Sequence, residues 1–227
     1  MLDHLIHTDQ QLLLALNGSD STWLDNVMLI VTKTGTWIPL ILVLLYVLLK
    51  NRSWREVLLF VVCLALVILV ADRFSSGFCK PFFHRFRPSH EPALEGLVDL
   101  VGNRRGGLYG FISSHAANTF GAFSFIALYF RRRFIIWTIF LWACLSSYSR
   151  IYLGLHYPGD ILCGALFGLL VGTSLYFLFH FLSLRLFSPS FPVADGSSTD
   201  VFPHKNLLLI PLTFAITLFF VVLYAFL

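Results

Sequence analysis

Apolar runs of about the length needed to cross a bilayer follow one another along this chain, separated only by short polar segments. Roughly 20 consecutive apolar residues in a helix span the hydrocarbon layer, and a helix satisfies its own backbone polar groups there. The runs are continuous and do not alternate apolar with polar, which excludes the strands of a membrane barrel. Charge settles the matter. Only 12% of the 227 residues are charged and 57% are hydrophobic, about half the charged fraction of a soluble domain. The expected fold is an all-α integral membrane six-helix bundle with an N-terminal interfacial helix, forming one domain over residues 1–227. Six spans use roughly 120 positions, so any chemistry must lie in the bundle or its loops.

The expected spans cover residues 23–49, 57–71, 115–130, 134–148, 158–184 and 207–227. Ahead of them, Leu5, Leu12, Leu13 and Leu16 recur near helical spacing among His4, His7, Asp9 and Gln10, which suits a helix lying in the membrane interface. The polar Thr32-Lys33-Thr34-Gly35 segment predicts a first span that is bent or split. The second helix is expected to continue through Asp72-Arg73-Phe74-Ser75-Ser76. Residues 80–114 read as a long polar loop, in which Pro81, Pro88 and Pro92 oppose a continuous helix. Residues 188–199 read as a flexible connector.

Basic residues orient the bundle. Lys50, Arg52 and Arg55, then Arg131-Arg132-Arg133, then Arg185 and Lys205 occupy alternate short loops, which places those loops in the cytoplasm. Residues 80–114 and both termini then face outward. A net charge of +4, scattered along the chain, gives no footprint for nucleic acid. Cys63, Cys79, Cys144 and Cys163 lie within or beside apolar runs and read as small packing residues. The first residues lack the basic segment and cleavage site of a secretory signal, so they are expected to belong to the mature bundle.

Three polar clusters interrupt the apolar pattern: Lys80 with Arg87-Pro88; Ser113-Ser114-His115; and Ser149-Arg150 with His156 and Asp160. The topology puts all three on one face of the membrane. Ser113 stands where loop becomes helix, so it can cap that helix while the first N–H groups point at an anion. His156 precedes a helix beginning near Pro158, with Asp160 in its first turn. That spacing lets a carboxylate hold one ring nitrogen while the other faces a ligand, as an activated histidine nucleophile requires. Taken singly, each feature also has an ordinary structural use, such as snorkelling or helix capping. Together they call for an anion.

Lys80-x6-Arg87-Pro88, Ser113-x-His115 and Ser149-Arg150-x5-His156-x3-Asp160, in this order, resemble the three-part signature of the type 2 phosphatidic acid phosphatase superfamily, which includes the vanadium haloperoxidases. The third motif alone would arise by chance with probability on the order of 10⁻³ from average residue frequencies. One departure is local: the family's middle motif usually reads Pro-Ser-Gly-His, and here it reads Ile112-Ser113-Ser114-His115.

The resemblance implies that His156 attacks phosphorus and forms a phosphohistidine, that Asp160 orients it, and that His115 acts as acid and then base. It implies phosphate binding by Lys80, Arg87, Arg150, Ser113 and Ser114, with no metal and no other cofactor. Zinc held by His84, His90 and His115 is the competing arrangement, at a spacing that fits no usual zinc pattern. A site at the outer ends of apolar spans suits a membrane lipid phosphate, reached sideways from the bilayer, and no protein partner is required. Undecaprenyl diphosphate is the first substrate expectation, in a bacterial inner membrane with the site facing the periplasm or the cell exterior. Phosphatidylglycerophosphate, phosphatidate and lipid A are the alternatives. A channel, transporter or lipid-binding protein would be the non-enzymatic readings. Arg104-Arg105-Gly106-Gly107 reads as a solvated basic turn, with contact to a second phosphate or a sugar headgroup as the alternative.

Overall fold

The computed structural model describes residues 2–187 and 202–226. The expected connector at 188–199 therefore lies outside the described residues. Helix α1 (Leu2–Leu16) is followed by α2 (Thr22–Val31), a 3₁₀ turn (Thr34–Trp37) and α3 (Ile38–Asn51). The first span is thus split at the polar segment, as its sequence predicts. The split leaves backbone carbonyls at the end of α2 that lipid cannot satisfy. Thr36 Oγ1 donates to the carbonyl of Ile30 at 2.6 Å, and Trp37 Nε1 to that of Val31 at 2.9 Å.

Helix α4 (Trp54–Asp72) starts at an N-cap, where the Ser53 hydroxyl accepts from the N–H of Glu56. It passes into a π-helical stretch (Arg73–Cys79) and then α5 (Lys80–Phe83), forming one 30-residue rod from Trp54 to Phe83. Here the expectation of a loop from residue 80 is corrected: Lys80 stands on the helix, and Pro81 does not end it. The N–H of Lys80 reaches the carbonyl of Ser75, five residues back. This wider turn opens the helix just ahead of the proline ring. The rod ends at His84, whose left-handed backbone (φ 49°) turns the chain away.

Helices α6 (Ser114–Phe130), α7 (Arg133–Tyr152) and α8 (Pro158–Leu186) follow, then α9 (His204–Leu207) and α10 (Leu209–Tyr224). The segments Thr34–Asn51, Trp54–Phe83, Arg133–Tyr152, Pro158–Leu186 and His204–Tyr224 are long and apolar enough to cross a membrane. With the 17-residue α6 packed among them, they form the expected six-span bundle.

The seam between α6 and α8 positions everything that follows. Gly164, Gly168 and Gly172 recur every fourth residue on α8; Gly164 faces Ser113 and Ala116 at the start of α6, and Gly168 and Gly172 face Gly121. A Cβ on Gly168 would overlap the carbonyl oxygen of Ala117, and one on Gly164 the carbonyl oxygen of Ser113. Small residues at this spacing let two membrane helices meet backbone to backbone. Farther along, the Phe60 ring meets Phe125 at 5.1 Å and Tyr129 at 4.7 Å, edge to face, joining α4 to α6.

The two ends of the bundle differ. At one end the basic loops converge: Tyr129 donates to Glu56, Arg52 stacks on Phe202, and Asn206 bonds Asn51. Across the other end lies α1. Its Leu13 is wholly buried against Leu94, Ile151 and Tyr157, while Leu5, Leu12 and Leu16 remain exposed, as an interfacial helix requires.

Candidate active site

All three polar clusters fall at the α1 end. The close α6–α8 seam brings the start of one helix onto the start of the other, and the N–H of Ser113 donates to the backbone carbonyl of Asp160 at 3.0 Å. Asp160 is fully buried, and its Oδ2 accepts from the N–H of Tyr157 at 3.2 Å. Between α7 and α8 the chain turns at Gly154 (φ +67°), where a Cβ would press on Val98. This turn lets the N–H groups of Leu155 and His156 reach the carbonyl of Arg150. His156 is thereby fixed beside Asp160, with Nδ1 3.3 Å from Oδ2, and is 1% exposed.

The other ring nitrogen, Nε2, lies 3.1 Å from Arg87 Nη1. A guanidinium can only donate, so Nε2 must be the acceptor and Nδ1 must carry the proton. Burial drives the His156 pKa down to about 4; Asp160 opposes the shift, and the charges of Arg87 and Arg150 add to it. The imidazole is therefore neutral at physiological pH, with a nucleophilic lone pair on the nitrogen facing the cations.

Arg87 is itself braced. Its Nε donates to the carbonyl of Tyr109 at 3.2 Å and its Nη1 to that of Leu155 at 3.1 Å. The segment carrying it pairs with residues 108–110: the N–H of Arg87 donates to Leu108 and that of Gly110 to Arg85. Gly110 keeps this packing close, since a Cβ there would stand 3.1 Å from Asp160 Oδ2 and 3.2 Å from Arg87 Cγ. Burial lowers the Arg87 pKa, against the raising influence of Asp160.

The remaining expected residues stand around this core. Lys80 Nζ reaches Ser114 Oγ at 3.4 Å and Ser76 Oγ at 3.2 Å. The Ser113 hydroxyl is fully buried and caps α6 by accepting from the N–H of Ala116, so it is occupied within the fold. His115 Nε2 pairs with Ser146 Oγ of α7 at 2.9 Å. Arg150 Nη1 donates to Thr32 at 2.8 Å, while its buried Nε has no hydrogen-bond partner among the described residues. Arg104 and Arg105 are exposed, as a solvated turn should be, yet the following Gly106 packs against the Arg87 guanidinium. Among the described residues no three His, Cys, Asp or Glu side chains converge as a metal site, so His84, His90 and His115 do not form the competing zinc set.

Two site residues escaped the sequence reading. Arg85 Nη1 contacts Asp160 Oδ1 at 2.9 Å, and its Nη2 contacts Asp9 Oδ2 of α1 at 2.7 Å. The only sequence signal was the alternation Arg85-x-Arg87, which marks a strand-like segment but does not name a partner.

Residues 56–184 match the PAP2 superfamily. The chain belongs to this superfamily. Among its PAP2 relatives, a lipid A 4'-phosphatase of Bacteroides thetaiotaomicron is 43% identical over 213 residues, covering 92% of this chain and 94% of the relative. A lipid A 4'-phosphatase of Porphyromonas gingivalis is 36% identical over 191 residues, covering 84% and 81%. The crystal structure of a transmembrane PAP2-type phosphatidylglycerolphosphate phosphatase from Bacillus subtilis shares the fold, with a TM-score of 0.57 at 20% identity over 81% of this chain and 88% of that one. The protein is thus a multi-pass membrane phosphatase of the PAP2 superfamily.

Proposed function

We propose that this PAP2 phosphatase removes the 4'-phosphate of lipid A. The observation that carries the reading is its 43% identity, over nearly the whole of both chains, to a lipid A 4'-phosphatase. The first substrate expectation, undecaprenyl diphosphate, gives way on that ground to one of its alternatives.

The site geometry supports a phosphohistidine route. The substrate phosphate lies beside Arg87, Lys80 and Arg150, whose charges neutralise its oxygens; Ser114 donates to it, and the Ser113 cap holds the start of α6. The His156 Nε2 lone pair then attacks phosphorus. As the P–N bond forms and the P–O bond to the sugar breaks, Arg87 Nη1 transfers its hydrogen bond from Nε2 to a phosphoryl oxygen. Asp160 Oδ2, already on Nδ1–H, stabilises the imidazolium produced. His115, as its imidazolium, gives a proton to the leaving sugar oxygen and is left neutral; it then takes a proton from the water that attacks the phosphohistidine and regains its starting form. The P–N bond breaks, phosphate leaves, and His156 returns to its neutral form. Phosphoryl transfer demands position and opposing charge more than bond-making by the protein, and no metal is needed. Basic loops gather at the far end of the bundle, so the site faces outward from the cytoplasm, toward the periplasm, by the positive-inside rule.

The test is phosphate release by the detergent-purified enzyme, in EDTA, from lipid A, undecaprenyl diphosphate, phosphatidylglycerophosphate and phosphatidate. Lipid A should be preferred by about tenfold or more in kcat/KM. Faster turnover of another substrate would overturn the substrate assignment, and activity lost in EDTA but restored by Mg²⁺ would overturn the metal-free route.

A further inference from the structure

We propose that Arg85 and Asp9 are positioning residues: Arg85 holds the Asp160 carboxylate in place under His156, and Asp9, carried by the interfacial helix α1, holds Arg85 and the first turn of α8. The proposal rests on the reading of His156 as nucleophile. Asp160 has two oxygens with different duties. Oδ2 serves His156 Nδ1 and the N–H of Tyr157, whereas Oδ1 takes Arg85 Nη1 at 2.9 Å. The same guanidinium reaches Asp9 Oδ2 at 2.7 Å, and Asp9 Oδ1 accepts from the N–H of Gly159 at 2.8 Å. Gly159 adjoins Asp160, so the contacts close into a ring: Asp160, Arg85, Asp9, Gly159. Each member is fitted to the others. A Cβ on Gly159 would stand 2.6 Å from Asp9 Oδ2, and the Tyr157 ring lies 4.1 Å beneath the Arg85 guanidinium.

The ring does two things for the reaction. It fixes the rotation of a carboxylate whose other oxygen must stay on Nδ1–H as positive charge develops on the imidazole. It also divides the Asp160 charge between Arg85 and His156. Burial works against the charged form of Arg85, but Asp160 and Asp9 outweigh it and leave its pKa raised, so the guanidinium keeps its charge throughout. An undivided carboxylate would pull a proton onto Nε2 and quench the nucleophile at mildly acidic pH. The charged groups facing His156 are Asp160 from α8, Arg87 from the loop and Arg150 from α7; only the first is altered through this ring. Because Asp9 belongs to α1, the seating of that helix in the interface bears directly on the catalytic carboxylate.

Arg85→Lys keeps the charge but cannot bridge two carboxylates with a planar fork. On lipid A it should lower kcat by about 10- to 100-fold with KM within about twofold. The sign of its pH effect follows from the weakened hold on Asp160 Oδ1, which leaves more of the carboxylate's charge to His156 and makes the imidazole easier to protonate. The acid limb of kcat/KM, which in the wild type should lie well below pH 6.5, therefore moves upward in Arg85→Lys. Asp9→Asn should lose about tenfold in kcat, Asp9→Glu should recover part of it, and the Arg85→Lys/Asp9→Asn double variant should be no worse than Arg85→Lys within about threefold. Additive losses, an unmoved acid limb, or wild-type kcat in both single variants would overturn the proposal. His156→Ala is measured beside them. If it turns over at the wild-type rate, the phosphohistidine reading fails; if it is inactive while Arg85→Lys matches the wild type, only the positioning role fails.

Discussion

His156→Ala should lower phosphate release from lipid A by about 10⁴-fold or more while leaving the folded bundle intact. The loss is large because no substitute nucleophile shares the position: Nε2 is the nitrogen that faces Arg87, 3.1 Å away. The fold should survive because the partners of His156 have other partners. Arg87 Nη1 keeps the carbonyl of Leu155, and Asp160 keeps Arg85 and the N–H of Tyr157. Initial rates, with elution volume and melting temperature in detergent as the controls for folding, check both halves. Residual activity within about 100-fold of wild type, in a folded variant, would mean that another group attacks phosphorus.

Gly168→Leu should be the most damaging change away from the site. Its Cβ would overlap the Ala117 carbonyl oxygen and lie 2.9 Å from the N–H nitrogen of Gly121. Both obstacles are backbone, so no side chain can swing aside. Overpacking of a rigid seam costs about 3 kcal/mol or more, and the seam is also what carries Ser113 onto Asp160. Thermal unfolding in detergent should show a lowered transition or no folded protein, with activity lost in parallel. Leu166 on the same helix is 59% exposed, and Leu166→Ala should stay within about 0.5 kcal/mol of wild type.

Much of the architecture was legible because it follows from apolar length and polar punctuation. The split first span is marked by Thr32-Lys33-Thr34-Gly35, and the helix start at Ser113 by the change from loop to apolar run. The His156–Asp160 contact was legible from a histidine standing just before the Pro158 helix start with Asp160 in the first turn. Pro81 misled, because a missing N–H donor usually ends a helix and nothing local announces the π turn that absorbs it. Gly164, Gly168 and Gly172 stand four residues apart, but that spacing alone names no partner on α6. The Arg85–Asp9 pair lies 76 residues apart and joins a loop to the interfacial helix, so no periodicity points to it. Substrate was the least legible feature. In the proposed reading Lys80, Arg87 and Arg150 bind a phosphoryl group that every candidate lipid shares, and no sequence motif points to what would read the remainder of the lipid.

On the proposed route the 4'-phosphate of lipid A passes through His156. The decisive measurement mixes the enzyme, in EDTA, with lipid A radiolabelled at that phosphate and quenches within the first turnover. The expected result is an acid-labile, alkali-stable label on the protein, confined to the peptide that contains His156 and absent from His156→Ala. Phosphate released in the first turnover with no labelled protein, or label recovered on a different residue, would contradict it.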